Sequence, residues 1–254
     1  MADKAAGQEG GGTWIGRSVK RREDECLLAG KGQYVADVEL PGALHVAVLR
    51  STHAHARIVR LDVSAAEQLA GVTAVWTAKD VAERINPLAP FFWREPPQPV
   101  QERSKPVLRY DEQPLLADTS VRYVGEPIAL VVAGSRYLAE DALEAIDVEY
   151  ELLPALGSAE QALAPGAPLL NPDWGDNVAV AFTVSKGDAA AAFRNAKIAI
   201  KERLRSHRYT SIPMETRGVS AMFDADTGQL TVWSSTQVPH GLRDILAERF
   251  QLPQ

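Results

Sequence analysis

An α+β fold is predicted by two features of the sequence. Residues 43–50, 56–63 and 121–134 are short β-rich runs separated by turn signals, a pattern that is typical of strands. Apolar residues recur at helical spacing over 139–146, which predicts a helix with one apolar face. Strands mixed with covering helices indicate an α+β layer arrangement.

The first half of the chain supports this prediction element by element. Pro41-Gly42 predicts a turn before the first strand, and the residues after Ser64 predict a short helix, a strand over Val72–Trp76 and a helical turn opened by Thr77. Residues 86–106 are rich in proline and predict an extended loop. Its aromatic side chains either fold back on the core of the chain or cover a partner surface or a pocket: Phe91, Phe92 and Trp93.

The second half predicts one more layer and then a boundary. Residues 121–134 predict a strand pair broken at 125–127, with Glu126 as a solvated loop charge. A helix and a strand that alternates at Val148, Tyr150 and Leu152 follow. Residues 154–178 predict a connecting segment at a domain boundary. Beyond it we predict a helix over 189–196, a long strand over 197–210, a hairpin turning at 226–228 and a helix over Pro239–Gln251.

Composition narrows the classes of protein. The formal net charge of -6 disfavours nucleic acid as the main partner, because phosphate binding needs a basic face. A single cysteine, Cys26, allows neither an internal disulfide nor an iron–sulfur cluster on this chain. No run approaches the ~20 apolar residues of a membrane span, and the glycine-rich N-terminus has no secretory signal. A soluble, cytoplasmic protein is expected.

Three polar clusters could carry chemistry. His53 and His55 would share a face on a strand, and are either metal ligands or structural histidines. A second cluster predicts ordinary ion pairs, or a network near a bound anion: His207, Arg208, Glu215 and Arg217. The third, Ser235-Thr236-Gln237, ends a strand and begins a helix, where backbone N–H groups and the Gln amide suit an oxo or phosphate group. Helix capping by Ser235 or Thr236 is the alternative.

Several motifs, in this order, resemble the beginning of the large subunit of the xanthine dehydrogenase family, the molybdenum hydroxylases. They are "WIGRSVKRREDECLLAGKGQYVADVELPGALHVAVLRSTHAHARI", "VRYVGEPIALVVA", "AEDALEAIDVEYELLP", "KGDAAAAFRNA", "PMETRGVSA" and "VWSSTQVPH". The resemblance implies a tail and lead-in over 1–27, a hammerhead domain over 28–155, a linker over 156–176 and the N-terminal part of the first molybdopterin-binding domain over 177–254.

The resemblance also implies roles for residues. Gln237 would hydrogen-bond the oxo ligand of molybdenum, with Thr236 and Ser235 beside it as cofactor contacts. Glu215 and Arg217 would be supporting residues near the site, and no residue of this chain would ligate the metal directly. The glycine-rich loop and the catalytic glutamate of the family are absent from the sequence, so either a second chain completes the large subunit, which is the favoured expectation, or the chain is a truncated product.

The implied cofactor is a molybdenum–pterin group, with or without a cytosine nucleotide, shared with that second chain. The [2Fe-2S] clusters and FAD would lie on other subunits. Oxidative hydroxylation with water as the oxygen source is the implied reaction, and carbon monoxide, aldehydes, purines and other N-heterocycles are all open as substrates. Two alternatives are a non-catalytic scaffold that docks the subunits and a stand-alone ligand-binding domain.

Overall fold

The computed structural model describes residues 15–16, 18–82, 84–85, 98, 102, 107–109, 114–184 and 186–253. Contacts divide the chain into two compact units, which are described separately. The smaller unit comprises residues 1–40 and 210–239, and the larger unit comprises residues 41–209 and 240–254. The domain boundaries expected from the sequence stay a prediction.

The elements alternate between short helices and strands along the chain. The helices are α1 (Asp24–Leu28), α2 (Ser64–Glu67), α3 (Ala78–Ala82), α4 (Arg136–Glu144), α5 (Ala159–Ala162), α6 (Ala189–Asn195) and α7 (Pro239–Phe250), with 3₁₀ turns at Val35–Asp37 and Pro172–Trp174. The strands are β1 (His45–Arg50), β2 (Ala56–Asp62), β3 (Val72–Trp76), β4 (Val107–Leu108), β5 (Ser120–Val121), β6 (Pro127–Ala133), β7 (Asp147–Leu152), β8 (Val180–Ala181), β9 (Val219–Asp224) and β10 (Gln229–Ser234).

The larger unit is built on two three-stranded antiparallel sheets, in the orders β1-β6-β3 and β5-β2-β7. Strands β4 and β8 form a separate two-stranded antiparallel sheet. The strands predicted at 43–50, 56–63 and 72–76 are confirmed, as are the turn at Pro41-Gly42 and the helical turn after Thr77. The α+β fold class is confirmed. The aromatic trio of the proline-rich loop lies outside the described residues.

Helix α4 packs on the first sheet, β1-β6-β3, through small side chains. Ala139 and Ala142 are fully buried, and they belong to one apolar cluster with Val131 of β6. Alanine allows the helix to approach the sheet closely, and Ser135 caps the helix by accepting a hydrogen bond from Leu138 N. The second cluster is centred on Ile128, which is also fully buried. Burial of a side chain of this size stabilises the fold by roughly 1.5–3 kcal/mol.

The turn at 125–127 differs from the prediction in two respects. Strands β5 and β6 exist, but they do not pair with each other: β5 pairs with β2, and β6 lies between β1 and β3. The predicted strand pair is therefore wrong. The turn is held instead by Ser51, whose N–H donates to Glu126 O at 2.8 Å and whose carbonyl accepts from Gly125 N at 2.7 Å. Gly125 has a φ of 91°, a conformation that favours glycine.

Glu126 is buried, with 7% of its surface exposed, and the prediction of a solvated loop charge is wrong. Its carboxylate accepts a hydrogen bond from Arg122 N at 2.5 Å. A buried carboxylate needs such donors, because leaving it without hydrogen bonds in a nonpolar environment costs several kcal/mol. Glu126 thus closes the segment 122–126 on itself and gives the entry to β6 a fixed shape.

The connecting segment after β7 is ordered by one side chain. Asn177 Nδ2 donates to Pro168 O at 2.8 Å and to Ala162 O at 3.1 Å, and its Oδ1 accepts from Leu170 N at 3.0 Å. These bonds satisfy backbone groups that no strand or helix uses. The segment is therefore a hydrogen-bonded loop with a short helix, α5, and not only a spacer.

The long strand predicted over 197–210 is not formed. Helix α6 ends at Asn195 as predicted, and the residues after it lie in neither helix nor strand. A strand exists only when a neighbouring strand takes its backbone hydrogen bonds, and within the described residues no backbone–backbone bond reaches residues 197–210. The sequence pattern is present, but its partner is not among these residues.

The smaller unit contains the predicted hairpin, which is confirmed. Strands β9 and β10 pair antiparallel, from Asp224 with Gln229 to Val219 with Ser234. The Thr227 hydroxyl and the N–H groups of Asp226 and Thr227 stabilise the charged Asp224 carboxylate and lower its pKa. Gly228 closes the turn with a φ of 71°.

The helix predicted over Pro239–Gln251 is also confirmed, as α7, with Ala247 buried. At 12 residues, α7 is longer than any other helix of the described residues. Across the same residues, no helix is both long and apolar enough to span a bilayer.

Candidate functional site

The predicted site residues Ser235, Thr236 and Gln237 lie directly after strand β10, in the smaller unit. The side chain of Gln237 is exposed and makes no hydrogen bond to any described residue. Its carboxamide N–H groups are therefore free to donate to a ligand. The backbone of this turn is fixed by hydrogen bonds of Ser235 and Thr236.

Ser235 joins two of the motifs that were singled out in the sequence. Its hydroxyl oxygen accepts a hydrogen bond from Gly218 N at 2.9 Å, and Ser235 N donates to Gly218 O at 3.2 Å. Gly218 follows the Pro213–Arg217 stretch, so the two motifs are held side by side at the end of the hairpin. The hydroxyl of Ser235 is thus already used within the protein.

Thr236 shapes the backbone that leads into Gln237. Its N–H donates to Ser234 O at 2.8 Å, and its hydroxyl oxygen accepts from Val238 N at 3.2 Å. A threonine hydroxyl that bonds to the backbone two residues on forms a tight local turn. The hydroxyl hydrogen of Thr236 remains available as a donor.

Glu215 connects this region to the lead-in segment. Its carboxylate accepts a hydrogen bond from Val35 N at 3.0 Å, across 180 residues of chain. Val35 begins a 3₁₀ turn and also lies against Gly218, where a Cβ would come within 3.2 Å of the Val35 Cγ1. A larger residue at 218 would therefore require the Val35 side chain to move by a few tenths of an ångström.

The lead-in segment was missed as part of the site. The described residues before Pro41, which the sequence assigns to a tail and to the start of the hammerhead domain, fall in the same compact unit as residues 210–239, and those domain bounds stay a prediction. The turn that carries Val35 is stabilised locally, since the Asp37 carboxylate accepts a hydrogen bond from Tyr34 N at 2.9 Å, but this local bond does not indicate which distant residues the turn contacts.

The predicted charge network is not formed. Among the described residues, no ion pair involves His207, Arg208, Glu215 or Arg217. Arg217 is exposed, while the Glu215 carboxylate accepts a hydrogen bond from the backbone N–H of Val35. The prediction of ordinary ion pairs is therefore wrong for this stretch, and the supporting roles of Glu215 and Arg217 stay predictions.

His53 and His55 have structural contacts. They lie in the loop before β2 and not on a strand, so the shared face predicted for them is wrong. The Nδ1 atom of His55 lies 2.8 Å from the carbonyl oxygen of Pro154, and the His53 ring packs edge-on against Tyr150, with centroids 4.8 Å apart. Burial raises the pKa of the Tyr150 hydroxyl, while a hydrogen bond with Ser51 opposes that shift. Within the described residues, no group of three His, Cys, Asp or Glu side chains is placed to hold a metal ion.

The arrangement suits a ligand that accepts hydrogen bonds. Gln237 offers a carboxamide that makes no hydrogen bond among the described residues, on a turn whose backbone is fixed by Ser235 and Thr236. No carboxylate or imidazole belongs to the Ser235–Gln237 turn, so it can orient and polarise a bound oxygen but cannot exchange protons with it. The donor set therefore fits an oxo group held by other residues.

Two family matches cover most of the chain. Residues 29–154 match the family described as "Aldehyde oxidase and xanthine dehydrogenase, a/b hammerhead domain". Residues 170–254 match a family described as "Molybdopterin cofactor-binding domain". The chain belongs to the xanthine dehydrogenase family of molybdenum hydroxylases. It contains the hammerhead domain and the start of the molybdopterin-binding domain of that family, and the second match indicates a molybdopterin cofactor.

Individual relatives agree with this assignment. The chain is 36% identical to the nicotine 6-hydroxylase large subunit of Paenarthrobacter nicotinovorans, over 92% of this chain and 27% of that protein. It is 33% identical to the nicotinate dehydrogenase large molybdopterin subunit of Eubacterium barkeri, over 94% of this chain and 51% of that protein. The structure of quinoline 2-oxidoreductase from Pseudomonas putida 86 superposes with a TM-score of 0.77 at 40% identity, covering 94% of this chain and 29% of that one.

The lengths of these relatives differ. The chain spans between a quarter and a third of the P. nicotinovorans and P. putida chains, but about half of the E. barkeri subunit. Family members with a full-length large subunit and at least one with a shorter molybdopterin subunit thus share the segment found here. Gln237, Thr236, Ser235, Glu215 and Arg217 all fall within the residues that match the molybdopterin-binding domain.

Proposed function

We propose that this chain provides the hammerhead domain and the first part of the molybdenum site of a heteromeric molybdenum hydroxylase. The observation that carries the proposal is the free carboxamide of Gln237 on a clamped turn, within the residues that match a molybdopterin-binding domain. The cofactor, when bound, supplies the redox chemistry of oxidative hydroxylation with water as the oxygen source.

Within this function each residue has a distinct task. Gln237 donates a hydrogen bond to the oxo ligand and so stabilises negative charge on it, an electrostatic contribution. Thr236 sets the direction of the Gln237 backbone and has a hydroxyl hydrogen to offer as a second donor. Ser235 holds the turn against Gly218, and Glu215 holds Val35 beside Gly218, so the backbone that carries Gln237 is positioned before a ligand binds. Arg217, exposed beside them, supplies positive charge near an anionic cofactor.

The partners are proposed from the relatives, of which this chain covers 27% to 51%. Residues that grip most of the cofactor and the catalytic base belong to the remainder of the large subunit, which we propose is a second chain. The shorter E. barkeri subunit supports a divided large subunit within the family. The single cysteine of this sequence cannot ligate a [2Fe-2S] cluster. The clusters and FAD are proposed to belong to further subunits of the complex. The cofactor is proposed in its cytosine dinucleotide form, and the complex in the cytoplasm.

Affinity purification of the complex through a tag on this chain tests the proposal. Mass spectrometry of the subunits and metal and flavin analysis are expected to find a second large-subunit chain, an iron–sulfur chain and a flavin chain, with one molybdenum per copy of this chain. A chain that purifies alone and without molybdenum, from cells that make the other subunits and the cofactor, would contradict the proposal. Assembly of the partners without molybdenum would favour the scaffold alternative.

A further inference from the structure

Residues 197–209 have the side-chain pattern of a strand with two different faces. In a strand, alternate residues point to opposite sides. One side of this segment would carry the apolar residues Ile198, Ile200 and Leu204, together with three polar ones, Glu202, Ser206 and Arg208. The other side would carry four basic residues, Lys197, Lys201, Arg203 and Arg205, together with Ala199, His207 and Tyr209.

The apolar side of the segment is open. Ile198 is 75% exposed, Ile200 is 77% exposed and Leu204 is 92% exposed. Within the described residues, the backbone N–H and C=O groups of 197–209 make no backbone hydrogen bond. An apolar row beside an unused row of backbone donors and acceptors marks a strand edge that is ready to pair.

One ion pair links the segment to the rest of the larger unit. Arg203, on the basic side, pairs with Glu160 of helix α5, although 70% of the Arg203 side chain is exposed. All residues of 197–209 are exposed, so the apolar side is open to a partner.

We propose that residues 197–209 are the docking strand for the remainder of the large subunit, which pairs with this segment and covers its apolar side. The inference rests on the proposed function. The occupant follows from length: about 70% of the P. nicotinovorans large subunit lies outside the matched segment, since the match covers 27% of it. A partner strand that alternates apolar residues with Asp or Glu would satisfy both sides of this segment, because opposite charges pair favourably across strands.

A second copy of this chain is a poorer occupant. Residues 197–209 contain five basic side chains and one acidic side chain, so two such strands side by side would place like charges opposite each other. The basic residues are Lys197, Lys201, Arg203, Arg205 and Arg208, and the acidic residue is Glu202. Opposed like charges destabilise a strand pair. The partner strand with alternating apolar and acidic residues is therefore the proposed occupant.

Hydrogen exchange measured by mass spectrometry tests the docking strand. The 254-residue chain alone is compared with the same chain in the purified complex. Amides of 198–208 are expected to exchange fast in the chain alone and on the order of a hundredfold more slowly in the complex. A molybdenum-loaded complex in which these amides stay unprotected would overturn this inference and leave the proposed function intact. Protection in the chain alone that grows with its concentration would also overturn it, in favour of a second copy.

Substitutions on the apolar side separate docking from folding. The variants Ile200→Asp and Leu204→Asp are expected to leave the thermal unfolding of the chain alone unchanged, because both side chains are exposed there. Recovery of the partner chain in the affinity purification is expected to fall at least about tenfold. Leu163→Asp is the matched control, since Leu163 is 66% exposed outside the segment, and it should leave recovery unchanged. Equal recovery of the partner chain with all three variants would contradict docking at residues 197–209. If the unaltered chain recovers no partner chain either, the proposed occupant of the segment is wrong.

Discussion

Replacing Gln237 with alanine is expected to lower the turnover of the assembled, molybdenum-loaded enzyme by roughly a hundredfold, the cost of removing one preorganised donor to a developing oxyanion. The molybdenum content is expected to stay unchanged, because the Gln237 side chain is exposed and makes no hydrogen bond among the described residues. The result would be measured as kcat with any substrate that the purified complex oxidises, beside the electron paramagnetic resonance spectrum of Mo(V), whose parameters report the oxo environment.

Two further variants make this prediction specific. Gln237→Glu keeps the shape of the side chain but replaces the donor by a negative charge, so it should lower turnover at least as much as Gln237→Ala. Gln229→Ala changes an exposed glutamine at the start of β10, outside the proposed site, and should leave turnover unchanged. Normal turnover and an unaltered Mo(V) spectrum in the fully loaded Gln237→Ala enzyme would exclude the proposed role.

Replacing Ile128 with alanine is expected to destabilise the hammerhead sheets by about 2–5 kcal/mol, the usual cost of such a deletion in a tightly packed core. Ile128 is fully buried, and it packs with Ala56, Ala117 and Val121 between the two sheets of the larger unit. The neighbouring side chains of Ala56 and Ala117 are too short to reach into the space that is left. The free energy of unfolding would be measured by urea denaturation of the chain, followed by circular dichroism.

Ile198→Ala is the matched control for this prediction. It removes the same atoms from a side chain that is 75% exposed, and should change the free energy of unfolding by no more than about 0.5 kcal/mol. In the complex the control should behave differently, because the docking strand is then expected to be covered. Equal losses for the two variants in the chain alone would show that the core is not centred on Ile128.

The elements that the sequence predicts well are those defined by local chemistry. The hairpin closed by Gly228 is set by hydrogen bonds from Asp226 and Thr227 to Asp224, all within a few residues. Helix α4 likewise begins at its capping Ser135 and buries the alanines that were predicted from helical spacing. Local turns and periodicity need no knowledge of distant residues.

The predictions that failed depend on contacts between distant residues. Glu126 is buried because the turn around it bonds to Ser51, and the strands on either side of that turn take partners from elsewhere in the chain. The alternation over 197–210 is typical of a strand, but the strand is not formed, because pairing needs a neighbour that the described residues do not provide.

The candidate site was predicted in a different way. Its donor-rich turn was visible in the sequence, but the role of Gln237 came from resemblance to the family and stays a prediction. The support from Val35 could not be predicted, because its bond to Glu215 joins residues that are 180 positions apart. Sequence therefore located the polar turn, while the structure shows how that turn is held.

The most direct test of the central claim is hydrogen exchange over Trp233–Val238 in the intact complex, prepared with the molybdenum cofactor and from cells that cannot make it. If Gln237 faces the cofactor, amides in this stretch exchange measurably more slowly in the loaded complex, while those of the buried strand β6 exchange equally in both. Identical exchange over Trp233–Val238 in the two preparations, with full assembly in each, would contradict a cofactor contact and leave the chain as a scaffold for its partners.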